Sequence, residues 1–348
     1  MVKYDKNKCD MNDVDIKKCR GIVLEKGTNN LICVPPPKAE NIQIFNSISV
    51  ETTDFEEFAE GTMINIFKYK GELFMSTRSC LGGSNKFYSN KSFSTLFTEI
   101  IDLSKFNVIN DNLNLTFILQ HPENIIVTKY SKPTIKLVYG INIIDNTNIE
   151  YLKLNNLKSN LEEKGLCIEI PKVYTVTNIQ QVYEYLGKMN HNEQGIILKS
   201  VNDTYIRSKI WNDYYKYVRN LKGNSSNKKF MYLMLRNNKA VDEYLKYFEE
   251  DTEIFESYRL ELFNTTNKLF NFYQDYYVKK DDNNKRIIKK FLDIDYEYRP
   301  LCNDLHKDYL TTKIITDKQK IIKYINCLPV AKLLFVINYK YRVQNKPM

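Results

Sequence analysis

Cationic side chains at alternate positions are the first chemistry to show in this 348-residue sequence. Arg207 and Lys209 stand one residue apart in Tyr-Ile-Arg-Ser-Lys-Ile, and Lys199 precedes them in Gly-Ile-Ile-Leu-Lys-Ser. Alternate residues of a strand share a face, so Arg207 and Lys209 are expected to point together into one pocket. The formal charge of +9, carried mostly by lysine, favours phosphate-rich partners through counterion release. A bias toward Lys, Asn and Ile of the kind an AT-rich genome produces gives the same charge, so charge alone decides nothing. Three histidines (His121, His191, His306) lie near no matching Ser, Cys or carboxylate pattern. His121, beside Pro122, is therefore read as structural or surface and not as a catalytic base. Seven cysteines occur without a CxxC pair and are read as reduced thiols, which fits a cytosolic site.

Two differently patterned stretches must position these residues. Up to about residue 150, short apolar runs separated by turn clusters (GIVLE, LICVPPP, MINIFKY, ELFMST, LTFILQ, NIIVTKY, TIKLVYGINII) read as strands of an antiparallel sheet. Helical spacing behind a serine cap predicts a helix over Ser92 to Phe106, and a second follows Thr177 over Asn178 to Met189. Strands return at GIILKS and YIRSKI. Beyond Gly223-Asn224-Ser225-Ser226-Asn227 no period-2 strand remains, and AVDEYLKYFEE, IFESYRLELFNTTNKLFNFYQDYYVKK, KRIIKKFLD, KQKIIKYINCL and VAKLLFVINYKYR all repeat apolar residues at three and four. The expectation is an α+β fold, with an antiparallel-sheet domain over residues 1–222 and an all-helical domain over 223–348. No stretch approaches the roughly 18 apolar residues of a membrane span, and the N-terminus is too polar for a signal peptide, so a soluble, cytoplasmic protein is expected.

Four segments, in this order and spacing, resemble the adenylyltransferase domain of phage-type RNA ligases and their relatives in large DNA viruses, over roughly residues 15 to 222. The most specific is EEFAEGTMINIFKYKGELFMSTRS, where active ligases carry Lys-x-Asp/Glu-Gly-Ser/Thr before a strand, a turn and a second strand. Glu60, Gly61, Thr62, the turn at Lys70-Gly71 and Ser76-Thr77-Arg78 match. The family nucleophile falls on Phe58, whose ring has no lone pair with which to attack an α-phosphate. Upstream, CRGIVLE and VPPPKAE are similar to the Arg-Gly strand and the proline-lysine stretch, which places the family's pocket-supporting arginine on Arg20. In LTFILQHPENIIV the ribose-binding glutamate falls on Ile118, which cannot accept a hydrogen bond from a hydroxyl. The metal-associated glutamate before Gly195 is Gln194, with Glu193 one residue out of register, and a neutral amide is a poorer ligand for Mg²⁺. The family's basic pair falls on Arg207 and Lys209.

The resemblance thus implies a scaffold retained and a chemistry lost: a catalytically inactive nucleotidyltransferase-like protein that binds RNA, an RNA end or a nucleotide. The cleft would be lined by Arg20, Glu60, Arg78, Lys199, Arg207 and Lys209. Arg78, Lys199, Arg207 and Lys209 would touch phosphate, while Arg20 and Glu60 support the pocket, and no cofactor is expected. One alternative is an active ATP-dependent RNA ligase or nucleotidyltransferase using ATP and Mg²⁺, its displaced nucleophile being Lys38, or else Lys68 or Lys86. Another is an interaction module with protein partners in a viral or RNA-processing assembly. The aromatic residues of the helical stretch, Tyr244, Phe248, Phe255, Phe263 and Tyr273 among them, are read as core and not as base-stacking platforms. The basic runs Lys228-Lys229 and Lys279-Lys280 with Lys285, Arg286, Lys289 and Lys290 read first as solvated helix faces and second as a phosphate track.

Overall fold

Apolar residues that alternate with polar ones, between clusters of Gly, Asn and Pro, form strands in the computed structural model, which describes all residues except 6, 48, 202–204, 280–293 and 345–348. The chain divides into two units, Met1–Arg219 and Asn220–Met348. The first begins with β1 (Val2–Lys3), α1 (Val14–Lys18), β2 (Arg20–Leu24), β3 (Leu31–Cys33), β4 (Thr53–Glu57), β5 (Thr62–Tyr69) and β6 (Glu72–Thr77). There follow α2 (Phe93–Thr98), β7 (Leu113–Gln120), β8 (Thr134–Ile143), β9 (Ile149–Tyr151), α3 (Leu154–Glu163), α4 (Ile179–Lys188), β10 (Gly195–Val201), β11 (Tyr205–Trp211) and α5 (Asp213–Lys222). The strands form three sheets, ordered β1-β2-β3, β11-β10-β4 and β6-β5-β7-β8-β9, and every strand pair is antiparallel. The fold is α+β, with helices alone following the sheets.

One face of the five-stranded sheet is covered by α2 and α3, where Leu96, Phe97, Phe106, Leu115, Phe117, Leu137 and Leu161 are fully buried. A six-residue helix such as α2 does not persist alone in water. Burial of Phe93, Leu96 and Phe97, at about 1.5–3 kcal/mol per large apolar side chain, is what holds it. A second core lies on the outer face of the β11-β10-β4 sheet, where Phe55, Ile196 and Leu198 pack on Val182 of α4. Across β7 and β8 the register skips at Val138, since Thr116 pairs with Tyr139 and Phe117 with Leu137. The bulge turns Tyr139 away from the core that holds Leu137.

Three expectations need correction. The run NIIVTKY is not a strand, because the N–H groups of Val127 and Thr128 donate to the Glu60 carboxylate and not to a neighbouring strand. The helix expected over Ser92 to Phe106 stops at Thr98, and a 3₁₀ segment, Leu103–Val108, follows it. The cap of α4 is Asn178 and not Thr177, its side chain accepting from the Gln181 N–H. Two glycines of the sequence motifs are steric requirements: a Cβ at Gly61 (φ +147°) would lie 2.3 Å from the Leu119 carbonyl oxygen, and one at Gly195 (φ +139°) 2.1 Å from that of Ile210.

The second unit contains α6 (Lys228–Asn237), α7 (Val241–Leu245), α8 (Thr252–Tyr273), α9 (Arg299–Thr312), α10 (Lys318–Cys327) and α11 (Val330–Gln344). Tyr244, Phe248, Phe255 and Tyr273 are buried, as core residues should be, whereas Phe263 is exposed. Lys228 and Lys229 are engaged in ion pairs with Asp251 and Glu261, and Lys279 with Asp275. The expected helix KRIIKKFLD and the basic residues Lys280, Lys285, Arg286, Lys289 and Lys290 lie outside the described residues. Among the described residues no single helix is long and apolar enough to cross a membrane.

Candidate anion-binding site

The face of the β11-β10-β4 sheet opposite its core carries the side chains with chemical capacity. In register, Lys199 stands between Asp54 and Arg207, and Ile197 between Glu56 and Lys209. Alternation therefore aligns Glu56, Phe58, Ile197, Lys199, Arg207 and Lys209 along a cleft whose opposite wall is Met63, Ile118 and Val138. Four of the expected cleft residues line it, namely Arg20, Lys199, Arg207 and Lys209, whereas Arg78 does not.

Lys199 is already committed. Its ammonium and the Glu56 carboxylate form an ion pair with both side chains 8% exposed, and the ammonium also donates to the Val138 carbonyl at 2.9 Å. Burial lowers the Lys199 pKa and the Glu56 charge opposes that shift. A second carboxylate, Glu57, accepts from Lys136 at 2.7 and 2.8 Å. Glu60, unlike these, does not line the cleft. Buried, it accepts the N–H groups of Val127 and Thr128 at 3.0–3.2 Å, while desolvation raises its pKa.

The proline stretch organises two arginines. Prolines lack N–H groups and keep this stretch out of a regular sheet ladder, and its carbonyls accept from side chains. Arg20 Nη1 donates to Pro37 and Pro36 at 3.3 and 3.4 Å, and Arg207 Nε donates to Pro37 at 2.9 Å. Arg20 Nε is buried without a hydrogen-bond partner. Burial, then Arg207 and Arg78, push the Arg20 pKa down to about 9. Arg78 is lowered chiefly by desolvation, with Arg207 and Arg219 adding to the effect. The Lys209 side chain reaches solvent, yet loss of water around its ammonium, followed by Arg20, Arg207, Arg219 and Arg78, lowers its pKa to about 8. Five cations thus converge, and among the described residues none of them forms an ion pair with a carboxylate.

Phe58 stands where β4 ends, its N–H donating to the Gly195 carbonyl at 2.9 Å. Its ring meets Trp211 edge-on at 5.0 Å, and the Lys209 ammonium lies 5.5 Å from its centre. The space bounded by Phe58, Ile118, Val138 and Pro171 is about 80 Å³. Beside it, sharing Glu56, Val138 and Lys199 as lining, lies a second space of about 360 Å³. The cleft offers Mg²⁺ no free carboxylate among the described residues: Glu56 and Glu57 are held by lysines, and Gln194 is buried outside the lining. Lys38 does not line the cleft although Ala39 does, and Lys68 is turned to the carbonyls of Asn107 and Ile109. His121 is closed off as well, accepting the Glu123 N–H at Nδ1 and bonded to Glu99 at Nε2.

Sequence reasoning missed Glu56, Trp211 and Arg219. Trp211 was within reach, being two residues beyond Lys209 on one strand. The position of Arg219 depends on how α5 leaves that strand, which spacing does not reveal.

No protein-family model matches the chain. In sequence it is 25% identical over 237 residues to an Autographa californica nuclear polyhedrosis virus protein named "Putative bifunctional polynucleotide kinase/RNA ligase". The chain is similar to part of a viral protein named as a kinase and ligase of nucleic acid. The match takes in 62% of this chain and 32% of the relative, so the chain spans about a third of that protein's length. Among solved structures, an archaeal ATP-dependent RNA ligase superposes with a TM-score of 0.45 and 14% identity, covering 92% of this chain and 76% of that one. A mutant of the Naegleria gruberi RNA ligase with AMP and Mn gives 0.40 and 12%, covering 52% and 57%.

Proposed function

We propose that this chain is a non-catalytic RNA ligase-like protein that binds RNA, at an end or along its backbone, through the phosphates it presents to the Arg20, Arg78, Arg207, Lys209 and Arg219 cluster. The observation that carries this reading is the convergence of five cations with no carboxylate paired to any of them among the described residues. Such a group repels itself and loses hydration, and a phosphate relieves both costs with charge-assisted hydrogen bonds. The sequence likeness to a protein named as an RNA ligase agrees with RNA as the anion, and the family lysine's place is held by a phenyl ring.

Two measurements on the full chain test it. Incubation with labelled ATP or GTP and Mg²⁺ is expected to give no covalent nucleotide adduct. A base-resistant, acid-labile band, mapped to Lys38, Lys209 or any other lysine, would overturn inactivity. Binding of a single-stranded RNA across a salt series should weaken steadily, with Arg78→Ala and Lys209→Ala each lowering the salt slope by about 1. Absence of affinity at low ionic strength would leave a scaffold role within a larger assembly.

A further inference from the structure

The identity of the residue at 58 has a role beyond the loss of an amine. Lys209 and Arg219 sit close enough to depress the lysine's charged form, so electrostatics alone would drive them apart. Both lie over the indole of Trp211, the Lys209 ammonium at 5.0 Å and the Arg219 guanidinium carbon at 5.2 Å from its centre. Lys209 also faces the Phe58 ring at 5.5 Å, and the two rings meet edge to face at 65°. An aromatic face carries negative quadrupole density and attracts a cation without neutralising it, which a carboxylate would do. A cation held in this way stays available to an anion.

The rings are themselves anchored. Alternation along β11 puts Arg207, Lys209 and Trp211 on one face, and Trp211 packs at 6.0 Å and 28° on Tyr215, which is fully buried in α5. The same helix carries Arg219. Phe58 follows β4 directly and lines the cleft. We propose that Phe58 and Trp211 form an aromatic clamp that holds Lys209 and Arg219 side by side as one receptor for a phosphate, making both rings positioning residues for anion binding. A lysine at position 58 would repel Lys209 where the phenyl ring attracts it. The clamp rests on the reading of the cleft as a phosphate site, and it assigns to the aromatic substitution a positive function in that site.

The test uses the full chain, a single-stranded RNA oligonucleotide and inorganic pyrophosphate. Trp211 is the one tryptophan in the sequence, so its emission reports on the clamp directly. Saturation with either probe should change that emission as the ammonium turns from the indole to phosphate, and the change should shrink in Lys209→Ala. Trp211→Leu is expected to bind RNA about tenfold more weakly, with Trp211→Phe, which keeps a ring, recovering most of the loss. Phe58→Leu should lose affinity by a smaller factor, and it carries the test if Trp211→Leu does not fold. If Arg78→Ala weakens RNA binding while the Trp211 and Phe58 variants bind as wild type does, the clamp is overturned and the phosphate site stands. If the wild-type chain has no salt-dependent affinity for RNA, both fall.

Discussion

If the cation cluster binds RNA as proposed, Lys209 should make that affinity depend on pH in a range where few side chains titrate. Its pKa of about 8 lies well below the ordinary 10.5 because water is stripped from the ammonium and four arginines surround it. A phosphate seated against it supplies the missing counter-charge and returns the bound-state pKa toward 10.5. Below about pH 8 the ammonium is charged in both states and affinity should be flat. Above that value the free protein must take up a proton to bind, and the dissociation constant should rise toward tenfold for each pH unit. Between about pH 7 and about pH 9 the expected loss is about tenfold. The unliganded fold responds in the opposite sense. A folded-state pKa below the unfolded one disfavours the charged lysine in the native state, so this group opposes folding below about pH 8 and its penalty fades as pH rises toward 10.5. The assay is fluorescence anisotropy of an end-labelled RNA with hydroxyl termini, whose internal phosphodiesters hold their charge across the range, at constant low ionic strength. Lys209→Ala should bind more weakly and Lys209→Arg should bind well, each with a profile flat to about pH 8 and only the shallower onset of Arg20, near about 9, above it. A wild-type curve that stays level to about pH 9, or a Lys209→Ala curve that keeps the slope, refutes the reasoning.

Other variants follow from the same geometry. Phe58→Lys is expected to give no nucleotide adduct with labelled ATP and Mg²⁺, because Ile118 and Gln194 remain; an acid-labile adduct would show that the lysine alone was missing. Glu60→Ala strands the Val127 and Thr128 amides at a cost of about 1–3 kcal/mol each, read as a lower midpoint in urea. Lys199→Ala leaves the Glu56 carboxylate buried and unpaired, for about 3–5 kcal/mol, whereas Lys199→Met with Glu56→Met should recover most of that stability. The double variant should also keep wild-type RNA affinity, and a loss there would return Lys199 to the binding site.

Alternation was enough to bring Arg207 and Lys209 to one face, since the period of a strand is a local property. It could not show that Lys199, on the same face, faces a carboxylate 143 residues away in sequence, and so it counted that lysine among the phosphate ligands. The strand expected at NIIVTKY failed for a related reason. Its apolar pattern is sound, but its amides are claimed by Glu60, 67 residues earlier. Patterns within about ten residues were legible, and errors arose where a distant polar group competed for a side chain or an amide.

That distinction bears on what the surviving motifs mean. Gly61 and Gly195 have no space for a Cβ, so any sequence that keeps this fold must keep them, and their presence says nothing about function. Arg20 and Arg207 hold the proline carbonyls and are partly of the same kind. Arg78, Lys209 and Arg219 differ from both. They make no ion pair with a carboxylate among the described residues, and repulsion among them opposes the charged state of Lys209 and Arg78. Apart from the ring contacts of Lys209 and Arg219, the fold gains no charge pairing from bringing them together. Replacing Arg78 or Lys209 with Gln should therefore leave thermal stability unchanged or raise it slightly while RNA affinity falls. A variant that lost stability and affinity in equal measure would mark the cluster as part of the scaffold.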